Sequence, residues 1–152
     1  NKGCLAQMIE IYNETGGNVL AVEEVAPELT SNYGVVKIED QTADGVMKIN
    51  GMVEKPGPGK APSNMIIMGR YILQPEIFKI LSTQGLGAGN EIQITDAMKT
   101  LMDNQDFHAC AYEGRSFDCG SKVGFLAANV AFALERDDVG EEFREAVKKL
   151  IS

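Results

Sequence analysis

A chain of 152 residues with 44% hydrophobic and 24% charged residues has the size of one globular domain, or of half a larger one. Its net charge of −8 excludes a role built on non-specific nucleic-acid binding, and no run approaches the roughly 20 apolar residues of a membrane span. Cys4, Cys110 and Cys119 are odd in number and lack CxxC spacing, which argues against a disulfide framework or a zinc ribbon and for a cytoplasmic protein.

In chain order, Leu5, Met8, Ile9 and Tyr12 fall at helical spacing, and Gly16-Gly17 ends that helix. Asn18 to Val25 reads as a strand broken by Pro27, and Tyr33 to Ile38 as another. Asp44-Gly45 predicts a hairpin turn before Val46 to Ile49, with further strand signals at Met52 to Glu54 and Met65 to Leu73. Pro75 suits the first turn of a short helix with Ile77, Phe78 and Leu81 on one face. A loop carrying Gly85, Gly87 and Gly89 leads to a helix holding Ala97, Met98, Leu101 and Met102, with Thr95-Asp96 as its candidate cap. Phe107 to Tyr112 is strand-like. Ser121 can cap a helix with Val123, Leu126, Ala127, Val130 and Leu134, and an amphipathic helix around Phe143 and Val147 closes the chain. Hairpins beside helical crossovers give an α/β class with a mixed sheet. The methionines, Met47, Met52, Met65, Met68, Met98 and Met102, read as core filling.

Two stretches carry chemistry. In Met52-Val53-Glu54-Lys55-Pro56 a strand delivers a carboxylate and an ammonium together, and the proline stops the ladder and pushes Lys55 towards extended geometry. A carboxylate that accepts from sugar hydroxyls and an ammonium that meets a phosphate suit a sugar phosphate; a solvated salt bridge is the alternative. In Arg115-Ser116-Phe117-Asp118-Cys119-Gly120-Ser121-Lys122 an aspartate is expected at a strand's C-terminal end, where α/β sheets bind ligands. It can offer oxygen to Mg²⁺, or it can satisfy backbone N–H groups at the next helix start. With so acidic a chain, a phosphate site would draw on Lys55, Arg70, Arg115 or Lys122. Cys119 has no convincing histidine partner and reads as a packing thiol, and the lone His108 as structural.

The succession Tyr33-Gly34-Val35, Val53-Glu54-Lys55-Pro56, Ala61-Pro62-Ser63-Asn64, Gly69-Arg70-Tyr71-Ile72-Leu73, Gly87-Ala88-Gly89-Asn90-Glu91-Ile92-Gln93-Ile94-Thr95-Asp96-Ala97 and Phe117-Asp118-Cys119-Gly120-Ser121-Lys122 closely resembles the C-terminal part of bacterial UTP–glucose-1-phosphate uridylyltransferases. The resemblance implies a Rossmann-like nucleotidyltransferase fold with a mixed central sheet, the chain 1–152 forming the C-terminal, sugar-phosphate-binding part of one such domain. It implies UTP, glucose 1-phosphate and UDP-glucose as ligands and Mg²⁺ as cofactor. Glu54 would accept from the glucose hydroxyls, the backbone at Gly34 would lie against the sugar ring, Lys55 would hold the sugar's phosphate, and Asp118 would be one of two aspartate ligands of the metal. The family's opening loop, of the form GxGTRxLPxTK, and its other metal-binding aspartate have no counterpart in the sequence. The chain alone is therefore expected to be inactive. A sister enzyme using dTTP or ATP and a non-catalytic sugar-phosphate-binding module are the rival readings. Missing strands would leave unpaired edges and uncovered apolar helix faces, so a homo-oligomer, or an association with a preceding segment, is expected.

Overall fold

The computed structural model describes residues 2–42, 46–87 and 90–151. The predicted Asp44-Gly45 turn and Gly89 of the glycine loop lie outside the described residues. Helix α1, Cys4–Thr15, ends where Gly16 turns left-handed at φ 68° and donates its N–H to the Tyr12 carbonyl at 2.8 Å. Strand β1, Asn18–Glu24, follows, and Pro27–Asn32 forms a 3₁₀ turn. Strands β2, Gly34–Gln41, and β3, Met47–Glu54, pair antiparallel from Gly34 opposite Glu54 to Gln41 opposite Met47. Strand β4 is Met65–Ile72, helix α2 Glu76–Thr83, helix α3 Ile94–Met102 and strand β5 Phe107–Ala111. Helices α4, Lys122–Leu134, and α5, Gly140–Ile151, complete the chain.

The ladders run β1-β4-β2-β3-β5 and close on themselves, because β5 pairs both with β3, antiparallel, and with β1, parallel. The sheet is mixed, as expected. Each of these five strands has a neighbour on both sides, so the expected unpaired edges are not found among the described residues. The rationale that rested on open edges falls with them.

Asn1–Gly114 forms one compact unit and Arg115–Ser152 a second. In the first unit, β1 is buried along both faces. Leu20 and Val22 join Met47, Ile49, Met52 and Phe107 in the main core, which α2 and α3 cover with Ile77, Met98 and Leu101. Val19 and Ala21 point the other way, towards Met8 of α1, the two-sided pattern of a strand with a parallel neighbour. The fully buried Asn18 starts β1, donates to Gln105 Oε1 at 3.0 Å and to the Asp106 carbonyl at 3.2 Å, and accepts from the Gln74 N–H at 2.8 Å. One side chain thereby ties together three chain passages. The methionines fill the core as expected, Met47, Met52 and Met98 being buried.

One expectation about a helix face fails. Phe78 is 72% exposed, and Ile80 joins Ile77 and Leu81 against the core in its place. A residue one step after Ile77 lies about 100° round the helix, whereas i+3 and i+4 return to the same face. In α4 the buried residue is Ala128, while Val123, Leu126 and Phe132 are exposed, an uncovered apolar helix face of the kind expected.

Candidate functional site

Glu54 is the last residue of β3 and stands opposite Gly34, the first of β2. At Gly34 a Cβ would lie 3.0 Å from Glu54 Oε2 and 3.2 Å from Ile67 Cδ1. Glycine is what leaves the space in which that carboxylate sits. Glu54 Oε2 accepts from the Thr95 hydroxyl at 3.0 Å. Around these groups is a cavity of about 210 Å³, bounded by Tyr33 and Gly34 on one side, Ile67, Gly69 and Tyr71 of β4 on another, and Thr95 of α3. Burial pushes the Tyr71 hydroxyl above its ordinary pKa, and the nearby Glu54 charge pushes it further. The phenol stays neutral, a hydrogen-bond donor beside an acceptor.

Lys55 departs from its expected conformation. Its φ is 45°, in the left-handed region, and its N–H donates to the Tyr33 carbonyl at 3.0 Å. Pro56, which follows, is buried. The proline excludes a continued ladder as expected, but the turn it forces is left-handed rather than extended. A non-glycine residue held there costs roughly 1–2 kcal/mol, and the buried proline and the backbone hydrogen bond keep it in place. The exposed Lys55 side chain has no ion-pair partner among the described residues, and the polar partner of Glu54 is Thr95, so the two do not form the alternative salt bridge.

Asp118 lies in the second unit. Residues 115–118 belong to no helix or strand, so this aspartate does not close a strand as expected. Its Oδ1 accepts from the Gly120 N–H at 2.9 Å, and its carbonyl accepts from the Ser121 N–H at 3.2 Å. Ser121 caps α4 as its position predicts, accepting from the Gly124 N–H at 3.0 Å. The alternative backbone role of Asp118 is thus filled, on one of its two oxygens. Among the described residues no cluster of three or more His, Cys, Asp or Glu side chains could hold a metal. Mg²⁺ commonly takes one or two carboxylates together with waters and substrate phosphates, so the exposed Asp118 fits it as a single ligand and no more.

Of the remaining cations, Arg115 pairs with Glu135 and lies 5.8 Å from the centre of the Phe117 ring, which leaves it engaged within its own unit. Arg70 donates to the Gly69 carbonyl at 3.2 Å. Cys119 is exposed, which overturns its reading as a packing thiol. His108 is partly buried in β5 with no partner at Nδ1, and burial holds its pKa below the ordinary value. Thr95 and Tyr71 are the residues that sequence reasoning undervalues. The expected cap of α3 does not include Thr95: Gln93 occupies the cap position, and Thr95 reaches to Glu54 instead. Spacing cannot reveal its burial, because it faces a strand 41 residues earlier.

Comparison with known proteins agrees with this architecture. The chain is 46% identical over 122 residues to a UTP–glucose-1-phosphate uridylyltransferase of Komagataeibacter xylinus, a match covering 80% of this chain and 43% of that protein. It is 43% identical over 146 residues to UTP–glucose-1-phosphate uridylyltransferase 2 of Staphylococcus saprophyticus, covering 96% of this chain and 50% of the relative. Among solved structures, UDP-glucose pyrophosphorylase complexed with UDP-glucose superimposes with a TM-score of 0.79 at 44% identity, over 87% of this chain and 50% of that one. UTP-bound UGPase from Acinetobacter baumannii gives 0.84 at 35% identity, over 99% of this chain and 53% of that one. The chain spans about half the length of the relatives it matches. A mixed α/β nucleotidyltransferase fold is therefore established, and the family model described as "Nucleotidyl transferase" matches residues 3–135. By that match, which takes in the Gly34 and Glu54 strands and the Asp118 turn, this chain belongs to the nucleotidyl transferase family.

Proposed function

We propose that the chain is the sugar-phosphate-binding part of a UTP–glucose-1-phosphate uridylyltransferase, which makes UDP-glucose and pyrophosphate from UTP and glucose 1-phosphate. The observation that carries this reading is the cavity lined by both Gly34 and Glu54, with Lys55 following Glu54 in a constrained turn. The backbone at Gly34 lines the cavity where the sugar ring would lie, and Glu54 accepts from ring hydroxyls. Lys55 meets the sugar's phosphate as a point charge.

The reaction is an in-line attack by the oxygen of glucose 1-phosphate on the α-phosphorus of UTP. The phosphate oxygen is the nucleophile, so no protein nucleophile is needed, and catalysis rests on positioning and on charge stabilisation. Lys55 restrains the attacking phosphate, and Glu54 with Gly34 fixes the sugar that carries it. Mg²⁺, when bound, supplies neutralisation of phosphate charge, and Asp118 is the residue of this chain that would hold it. The UTP phosphates and base belong to the glycine-rich loop of the family, so this chain by itself binds sugar phosphate without turnover. Free cysteines support a reducing cytoplasm, and the exposed apolar side chains of α4 support a homo-oligomer.

The test is Glu54→Gln in the intact protein that carries this chain. KM for glucose 1-phosphate is expected to rise roughly 10- to 100-fold, the worth of a hydrogen bond to a charged group, with KM for UTP unchanged. An unaltered KM for glucose 1-phosphate would overturn the reading. Parallel assays with UTP, dTTP and ATP separate the uridylyltransferase from its sister enzymes.

A further inference from the structure

We infer that Thr95 is a positioning residue of the sugar site, fixing which oxygen of Glu54 is presented to the substrate. The inference rests on the assignment of Glu54 to the sugar and goes beyond it. Thr95 is the second residue of α3, where a threonine hydroxyl commonly turns to its own backbone. Here it does not. The cap position is Gln93, with no side-chain cap, and the Thr95 hydroxyl crosses to Glu54 Oε2 at 3.0 Å. Thr95 is only 6% exposed, so little solvent competes for that bond. Oε2 also occupies the space that a side chain at position 34 would need, since a Cβ there would stand 3.0 Å from it. One carboxylate oxygen is thereby engaged by the Thr95 hydroxyl, which leaves Oε1 as the oxygen free of that bond.

The helix that carries Thr95 is a firm anchor. Ala97, Met98 and Leu101 of α3 are buried in the main core, beside Met52 of the strand that ends in Glu54. Side chains held from rigid elements keep a binding group close to its productive geometry. A glutamate has three side-chain torsions, and freezing them before the ligand arrives removes part of the ordering cost of binding. The hydroxyl acts through Glu54 and need not touch the sugar.

The test is a double-mutant cycle in the intact protein, read as KM for glucose 1-phosphate and for UTP. Thr95→Val, which keeps the size and removes the hydroxyl, is expected to raise KM for glucose 1-phosphate roughly tenfold and leave that for UTP alone. Thr95→Ser is expected to restore the native value. In a Glu54→Ala background Thr95→Val should add nothing, because the group it positions is gone. Equal losses in both backgrounds, or none in either, would overturn the inference while leaving the sugar site in place. If Glu54→Ala alone leaves KM for glucose 1-phosphate unchanged, the sugar-site reading falls instead. Should Thr95→Val fail to fold, Thr95→Ala completes the cycle, and the same outcomes support or overturn the inference.

Discussion

The two units of this chain solve the burial problem differently. In Asn1–Gly114, strands that return on themselves place Phe107, Leu20 and Val22 out of solvent with every ladder neighbour satisfied. In Arg115–Ser152, two helices carry apolar side chains that stay in view, Leu126 at 63% exposure and Val123 and Phe132 beyond half. A helix that is apolar on most of its circumference expects cover on more than one side. The first unit therefore holds what a rigid binding cavity needs, and the second presents surface suited to association. The cavity at Gly34 and Glu54 owes its geometry to ring closure and helix packing, while Asp118 owes its geometry to a local turn.

Substitutions put that contrast to the test. The largest effect is expected for Phe107→Ala, which empties the centre of the first unit and should cost about 3–5 kcal/mol. Leu126→Ala on α4 should stay within about 0.5 kcal/mol. Denaturant unfolding of both variants measures the difference. A multi-kcal/mol loss for Leu126→Ala would mean that α4 is covered in solution, and would remove the distinction between the units.

Lys55→Gly should separate stability from function inside the first unit. Relief of the left-handed penalty, about 1–2 kcal/mol, is offset by the extra unfolded-state freedom of glycine, about 0.5–1 kcal/mol. The expected net gain is about 0 to 1.5 kcal/mol, with weaker glucose 1-phosphate binding because the ammonium is lost. Thermal unfolding and calorimetric titration read the two changes. A less stable variant would show that the turn at Lys55 stores no strain.

The smallest effect is a pH dependence that belongs to β5. Burial lowers the His108 pKa first of all; Lys48 adds to the lowering and Asp106 opposes it. The unfolded chain then binds more protons than the folded one between the depressed pKa and the ordinary value near 6.5. Stability contributed by neutral His108 is full above that window and falls as the pH drops through it. His108→Gln should flatten the slope of stability just below about pH 6.5. An unchanged slope would show that His108 titrates normally.

Much of this is legible in the residues. Gly16, Ser121 and the apolar spacing of α3 announce their elements because caps and periodicity are local signals. Glu54 and Lys55 stand out because a proline punctuates them. The turn at Lys55 escapes a reading by rule, since a following proline favours extended geometry as a preference only, and Lys55 at φ 45° departs from it. Phe78 escapes it too, because periodicity says that a face is apolar, not what will cover it.

What the chain's own order of residues determined was the set of elements, the family to which they belong and the chemical types available at the site. Only the tertiary structure decided that the strand ladders close, that Gly34 and Thr95 meet at one oxygen of Glu54, and that Asp118 serves its own turn with one of its two. The division has a physical cause. Helix caps, prolines and glycines act through torsions within a few residues, whereas a cavity exists only where strands and helices distant in sequence are packed side by side, and no single stretch contains that information.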